Sequence, residues 1–246
     1  MPDATEQHAS GGGVDGRPAS AAAFAPEIEA AIATVRADVA RLHGELTRNG
    51  LVVWTGGNLS ARVQGEELML IKPSGVPYDE LTPDAMVVCD LEGNSDEARL
   101  VPSSDSATHG YVYRHLPEVG GIVHTHSPYA TAWAIRGEPI PCVMTAIADE
   151  FGGEIPVGPF ALIGDEEIGR GVVETLESHR SSAVLMRGHG VFALGSGPRD
   201  AVKSAVMCEE AARIVHAARA LGPVEPLDAD SIDALYHRYQ NVYGQR

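Results

Sequence analysis

What most restricts the fold of this chain is how its apolar residues are divided. Between Leu51 and Leu194 they come in short, often β-branched runs: Leu51 to Thr55, Leu68 to Ile71, Met86 to Asp90, Gly121 to Thr125, Ala183 to Met186 and Val191 to Leu194. Turns such as Gly56-Gly57-Asn58 and Lys72-Pro73-Ser74-Gly75 break them up. Runs this short cannot cross a bilayer and read as strands of a sheet whose faces need helices over them. Ile28, Ile32, Val35, Val39, Leu42 and Leu46 recur at steps of four and three, between Pro26 and Asn49-Gly50, which predicts an amphipathic helix with both terminators. Further helices are expected over Ser104 to Leu116, Tyr129 to Arg136, Asp165 to Ser178, Pro198 to Leu221 and onward from Ser231, with extended chain at Ile140 to Met144 and Ile155 to Leu162. The expected class is a mixed α/β layer protein with a substantially antiparallel central sheet.

Residues 1 to about 25 are rich in Ala, Gly and Ser and offer few large apolar side chains, so a disordered N-terminal tail is expected before a single domain over 26–246. The 34 acidic against 18 basic residues leave a net charge of −16, which argues against a nucleic-acid backbone or an anionic membrane as partner. The 3 cysteines are widely spaced and form no Cys-x-x-Cys pair, so neither a disulfide framework nor a cysteine zinc site is indicated. With no membrane span or signal peptide recognisable, a cytoplasmic location is expected.

The chemistry concentrates in a few places. In His124-Thr125-His126 the imidazoles are two apart on an expected strand, leave the same face and can converge on one cation. His189, flanked by Gly188 and Gly190 at a strand end, is placed to be a third ligand, and such a set leaves a divalent ion with open positions, as in catalytic sites. Asp105, after Ser103-Ser104 at a helix start, could add an oxygen ligand. Gly57-Asn58, Lys72 with Ser74-Gly75, and Ser103-Ser104 each put hydroxyl, amide or ammonium donors at a turn; taken together, they point to a phosphorylated small substrate. Lys203, Glu209 and Glu210 read as a solvated helix face, and Trp54 and Trp133 as core or subunit-interface residues.

Gly-Asn-Leu-Ser at 57–60, Lys-Pro-Ser-Gly at 72–75, Pro-Ser-Ser-Asp at 102–105, His-Thr-His-Ser at 124–127, Gly-His-Gly at 188–190 and Tyr-Gly-Gln at 243–245 follow one another in that order. Together they resemble the class II sugar-phosphate aldolase/epimerase family, from about residue 28 to the C-terminus. The resemblance implies a three-layer α/β/α fold, zinc (or another divalent ion such as manganese or cobalt) on His124, His126 and His189 with Asp105 on or near it, and a phosphate pocket from Gly57, Asn58, Lys72, Ser74, Gly75, Ser103 and Ser104. It also implies Asp105, Asp149 and Tyr243 as catalytic residues, and a C4 homotetramer in which Tyr243 enters a neighbouring subunit's site. Within that resemblance Asp105, where the aldolases typically carry Glu, favours the epimerase branch, which acts on L-ribulose 5-phosphate. An aldolase cleaving L-fuculose 1-phosphate or a related ketose phosphate is the alternative, and a non-enzymatic adducin-like head disagrees with the retained ligands. Ile147 departs from the epimerases, which carry His there, and the stretch from His126 to His189 is nearer the aldolase length.

Overall fold

The computed structural model describes residues 24–96 and 99–242. Helix α1 spans Pro26–Arg48, followed by strands β1 (Asn58–Arg62), β2 (Leu68–Ile71) and β3 (Val87–Asp90). Next come α2 (Ser106–His115), β4 (Gly121–Thr125), α3 (Pro128–Arg136), α4 (Thr145–Phe151), β5 (Val157–Gly158) and α5 (Glu167–Leu176). The chain continues through β6 (Ala183–Met186), β7 (Gly190–Gly195), α6 (Pro198–Leu221) and α7 (Ala229–Val242). The strands form a 7-stranded sheet in the order β3-β2-β1-β4-β7-β6-β5. Every neighbouring pair is antiparallel except β5 with β6.

Alternation along the strands builds two cores and hence three layers. Leu59, Val123, Val191 and Ala193 face a cluster completed by α1, α3, α4 and α6, for example through Val39, Trp133, Phe151 and Ala205. Ile71, Ile122, Phe192 and Leu194 face the opposite cluster, completed by α2 and α5 through Val112, Ile168 and Val172. The expected termini of α1 hold. Pro26 occupies its first turn, and at its C-terminus Gly50 turns left-handed (φ 66) while the Leu51 amide donates back to Leu46 and that of Gly50 to Thr47, a Schellman closure.

Several expectations are corrected. Leu51 to Thr55 is not a strand: the closure buries Leu51 and turns the chain outward, leaving Val53 81% and Trp54 79% exposed, with Trp54 at φ 57. Trp54 is therefore not a core residue, whereas Trp133 is. Asn58 opens β1 instead of ending a turn. Ile140 to Met144 contributes a single bridge to Ile155, and of Ile155 to Leu162 only two residues pair in the sheet. Asp149 lies on helix α4, an element not expected from the sequence. The polar face of α6 is engaged: Lys203 pairs with Glu150 at 3.0 Å, and Glu209 accepts from the Tyr129 and Ala130 amides. The proposed tail at 1–25 falls almost wholly outside the described residues, as does Tyr243. No helix among the described residues is long and apolar enough to cross a membrane.

Candidate active site

Sheet register assembles the site. In the β1–β4 pair Asn58 stands opposite His124, on the face that also carries Ser60 and Phe192. His126 follows just beyond the end of β4, and the turn between β6 and β7 brings His189 beside both. Close approach of these segments needs residues without a side chain. A Cβ on Gly190 would stand 2.4 Å from the Thr125 carbonyl oxygen and 2.7 Å from His126 Cδ2. One on Gly57, at φ +76, would stand 2.8 Å from the His124 carbonyl oxygen.

One ring nitrogen from each of His124, His126 and His189 lies within 4.8 Å of the others. His124 directs Nδ1 to the Val191 carbonyl at 2.9 Å, and its Nε2 lies 3.1 Å from Nε2 of His126. A backbone carbonyl holding one nitrogen so that the other faces outward is the usual support for a metal-ligating imidazole. Burial, chiefly, together with the neighbouring His189 and His126, pushes His124 down to about 3 despite the opposing pull of Asp105, so the ring is neutral at physiological pH. His189 is lowered by burial and by His126. Three imidazoles converging with ring nitrogens this close, with His189 Nδ1 buried and unpartnered, fit a divalent cation.

The same cavity, of about 300 Å³, is lined by Gly57, Asn58, Lys72, Ser74, Gly75, Ser103, Ser104, Asp105, His124, His126 and His189. Every expected metal and phosphate residue thus meets in one place, together with Gly56 and Pro73 of the same turns and with Thr55 and Ile163, which the sequence did not single out. Two loops shape the polar wall: the Ser74 amide donates to the Val101 carbonyl, and the Ser103 amide to that of Lys72. Asn58 Nδ2 donates to Ser103 Oγ at 3.1 Å and to Asp105 Oδ2 at 2.6 Å, joining the polar wall to the histidine side. Burial pushes the Asp105 carboxyl up, but His124, His109 and the Asn58 hydrogen bond outweigh it and hold the group below the usual carboxylate range. Lys72 is 2% exposed, and its Nζ donates to the carbonyls of Thr55 and Pro73, each at 3.2 Å. Burial lowers its pKa, and carbonyl partners leave the ammonium's charge unneutralised, so an anion in the cavity would complete it.

Asp149 does not line this cavity. Its Oδ1 is buried without a hydrogen-bond partner. Beneath the site lies a buried set in which Ser60, the last residue of the Gly-Asn-Leu-Ser motif, meets two residues the sequence did not single out: its Oγ is 2.7 Å from His109 Nδ1 and 2.8 Å from the Tyr113 hydroxyl. The spacing of His109 one helical turn after Asp105 was its only signal.

A three-histidine cluster, a wall of serines and glycines and a mostly antiparallel three-layer fold coincide here, and the family model for the class II aldolase and adducin N-terminal domain matches residues 37–216. The chain belongs to that family. Among class II aldolase relatives, it is 42% identical over 217 residues to L-ribulose-5-phosphate 4-epimerase UlaF of Salmonella paratyphi B, covering 82% of this chain and 94% of the relative. The fold resembles that of an L-fuculose 1-phosphate aldolase with a TM-score of 0.78 at 28% identity, covering 84% of this chain and 96% of the other. It also resembles the L-fuculose-1-phosphate aldolase of Thermus thermophilus, with a TM-score of 0.65 at 30% identity over 79% of this chain and 98% of that one. The family is metal-dependent, in agreement with the histidine cluster.

Proposed function

We propose that the chain is a zinc-dependent epimerase that converts L-ribulose 5-phosphate to D-xylulose 5-phosphate at C4. The similarity to a 4-epimerase along 94% of that relative's length carries the reading. The cavity supports it by putting metal-binding imidazoles and anion donors side by side. C4 carries no acidic C–H, so its inversion requires breaking and remaking the C3–C4 bond. Removal of the C4 hydroxyl proton turns that carbon into an aldehyde, and the pair of electrons from the broken bond passes to C3 as an enediolate. The aldehyde fragment rotates, the enediolate carbon attacks its other face, and the new C4 oxygen takes back a proton.

His124, His126 and His189, with Asp105 beside them, would hold the zinc ion, which would supply Lewis-acid polarisation of the substrate's carbonyl. Lys72, Ser74, Ser103, Ser104, Asn58 and the Gly57 and Gly75 turns retain the phosphate, and with it the fragment, during rotation. Inversion needs one proton-transfer group for each orientation of the C4 oxygen, and Asp149 and Tyr243 take those roles. Within one chain Asp149 stays outside the cavity, so in this reading a neighbouring subunit of a C4 homotetramer delivers it, as the motif resemblance implies for Tyr243. A cytoplasmic location accords with a phosphorylated substrate.

A second reading, an aldolase acting on L-fuculose 1-phosphate or a related ketose phosphate, is favoured by the buried Ile147 at the place where the epimerases carry His, and by the likeness to fuculose-phosphate aldolases. The deciding experiment assays metal-loaded protein on L-ribulose 5-phosphate, following D-xylulose 5-phosphate and free aldehyde together. The epimer without aldehyde is expected; aldehyde release, or turnover of L-fuculose 1-phosphate alone, moves the chain to the aldolase reading.

A further inference from the structure

The loop from Thr55 to Gly57, just before β1, supplies one wall of the cavity, yet its own sequence, Thr-Gly-Gly, has little intrinsic preference for a single shape. Something else must order it before an anion arrives. One tether is Lys72, which reaches the Thr55 carbonyl. At the far end the Leu59 amide donates to His43 Nε2 at 3.1 Å. Between them, the Tyr78 hydroxyl donates to the Gly56 carbonyl at 3.0 Å. The Tyr78 ring has two further contacts: its centroid is 5.3 Å from Lys72 Nζ and 5.8 Å from the His43 ring. One side chain thus touches the loop, the buried ammonium and the histidine that anchors β1.

From this geometry we infer that Tyr78 is a positioning residue for the anion pocket: its hydroxyl fixes the Gly56 peptide and its ring seats the Lys72 ammonium, so both stand ready for the phosphate of the substrate. The inference rests on the phosphate-pocket reading of the proposed function. Tyr78 does not line the cavity itself and touches no reacting atom, so it acts through Gly56 and Lys72. An ammonium within about 6 Å of an aromatic face is held by the ring's negative face without being neutralised, which leaves its charge available to an incoming anion. A carboxylate in the same position would pair with Lys72 and compete with that anion. Free to collapse, the Gly56 peptide would have to be ordered again at each binding event, and that entropy would be taken from affinity.

Tyr78→Phe tests this in the full-length, metal-loaded protein, because it removes the hydroxyl and keeps the ring between Lys72 and His43. Isothermal titration with inorganic phosphate and steady-state kinetics on L-ribulose 5-phosphate are read together. The expected result is about a tenfold weaker phosphate affinity and a similar rise in KM, with kcat within about twofold of the parent and metal content unchanged. Unchanged phosphate affinity in the variant, beside a parent that binds phosphate, overturns the inference and leaves the pocket reading intact. A parent that binds no phosphate overturns the pocket reading and the inference with it. Loss of metal, or a fall in kcat with KM unchanged, makes Tyr78 a general support of the site and also overturns its assignment to the anion.

Discussion

His43 shows how a residue outside the cavity ties the site to the fold. It is 1% exposed, with Nδ1 at 2.8 Å from the Val39 carbonyl and Nε2 accepting from the Leu59 amide, so both nitrogens are used only while the ring is neutral. Burial, chiefly, with a smaller contribution from the Lys72 charge, lowers its pKa from 6.5 to about 4. A base whose folded pKa is depressed binds its proton more readily in the unfolded chain. Its contribution is therefore complete above pH 6.5 and is lost as the pH falls towards 4. The gap corresponds to about 3 kcal/mol at the acid end. Replacing His43 with Gln, which cannot take up a proton there, should destabilise the protein at pH 7 through the lost packing and hydrogen bond. That deficit should shrink steadily as urea midpoints are compared from pH 7 down to pH 4.5. A deficit that stays constant with pH would show that His43 is not the group that resists protonation.

At the level of elements, α3 carries a comparable dependence. It starts two residues after His126, its N-cap Ser127 makes no side-chain cap, and Pro128 offers no amide. The cap comes instead from α6: the Glu209 carboxylate accepts from the Tyr129 amide at 2.9 Å and the Ala130 amide at 2.8 Å. Glu209→Ala should cost about 1–2 kcal/mol in chemical denaturation, with Glu209→Gln recovering part of it. An unchanged midpoint in the alanine variant would remove this role. The contact also shows what sequence can and cannot reveal. Strand 183–186 and helix 198–221 were visible because their terminators and periodicity are local. Residues 51–55 have the composition of a strand, but the closure of α1 on Leu51 turns them out of the sheet, and α4 is held by its packing on α7 and the α6 face. The histidines and glycine turns stood out because metal and anion chemistry demands unusual residues in short spans. Tyr78, His43 and His109 did not, because they are ordinary residues that act on partners 22, 16 and 49 positions away.

At the level of the whole molecule, the question is how a cavity holding the three clustered histidines would use the proposed Asp149, which does not line it. His126 belongs to the cavity of its own chain, whereas Asp149 sits on α4, packed against α7, with an unpartnered buried oxygen. If each site joins the histidines of one subunit to Asp149 of the next, lesions in the two residues fall in different halves of a shared site. His126→Ala and Asp149→Asn homo-oligomers should then each be inactive, the first without metal and the second with its metal retained. Co-expression at equal levels should assemble mixed rings in which a site is whole when its histidines come from an Asp149→Asn chain and its aspartate from a His126→Ala chain. Random assortment makes both conditions true for about one site in four, so the mixture should regain about a quarter of the parent's activity. If each chain used its own Asp149, every site would carry one lesion or the other and no activity would return. The regained fraction therefore separates a shared site from a self-contained one without any need to know which sugar the protein prefers, provided it turns over at all.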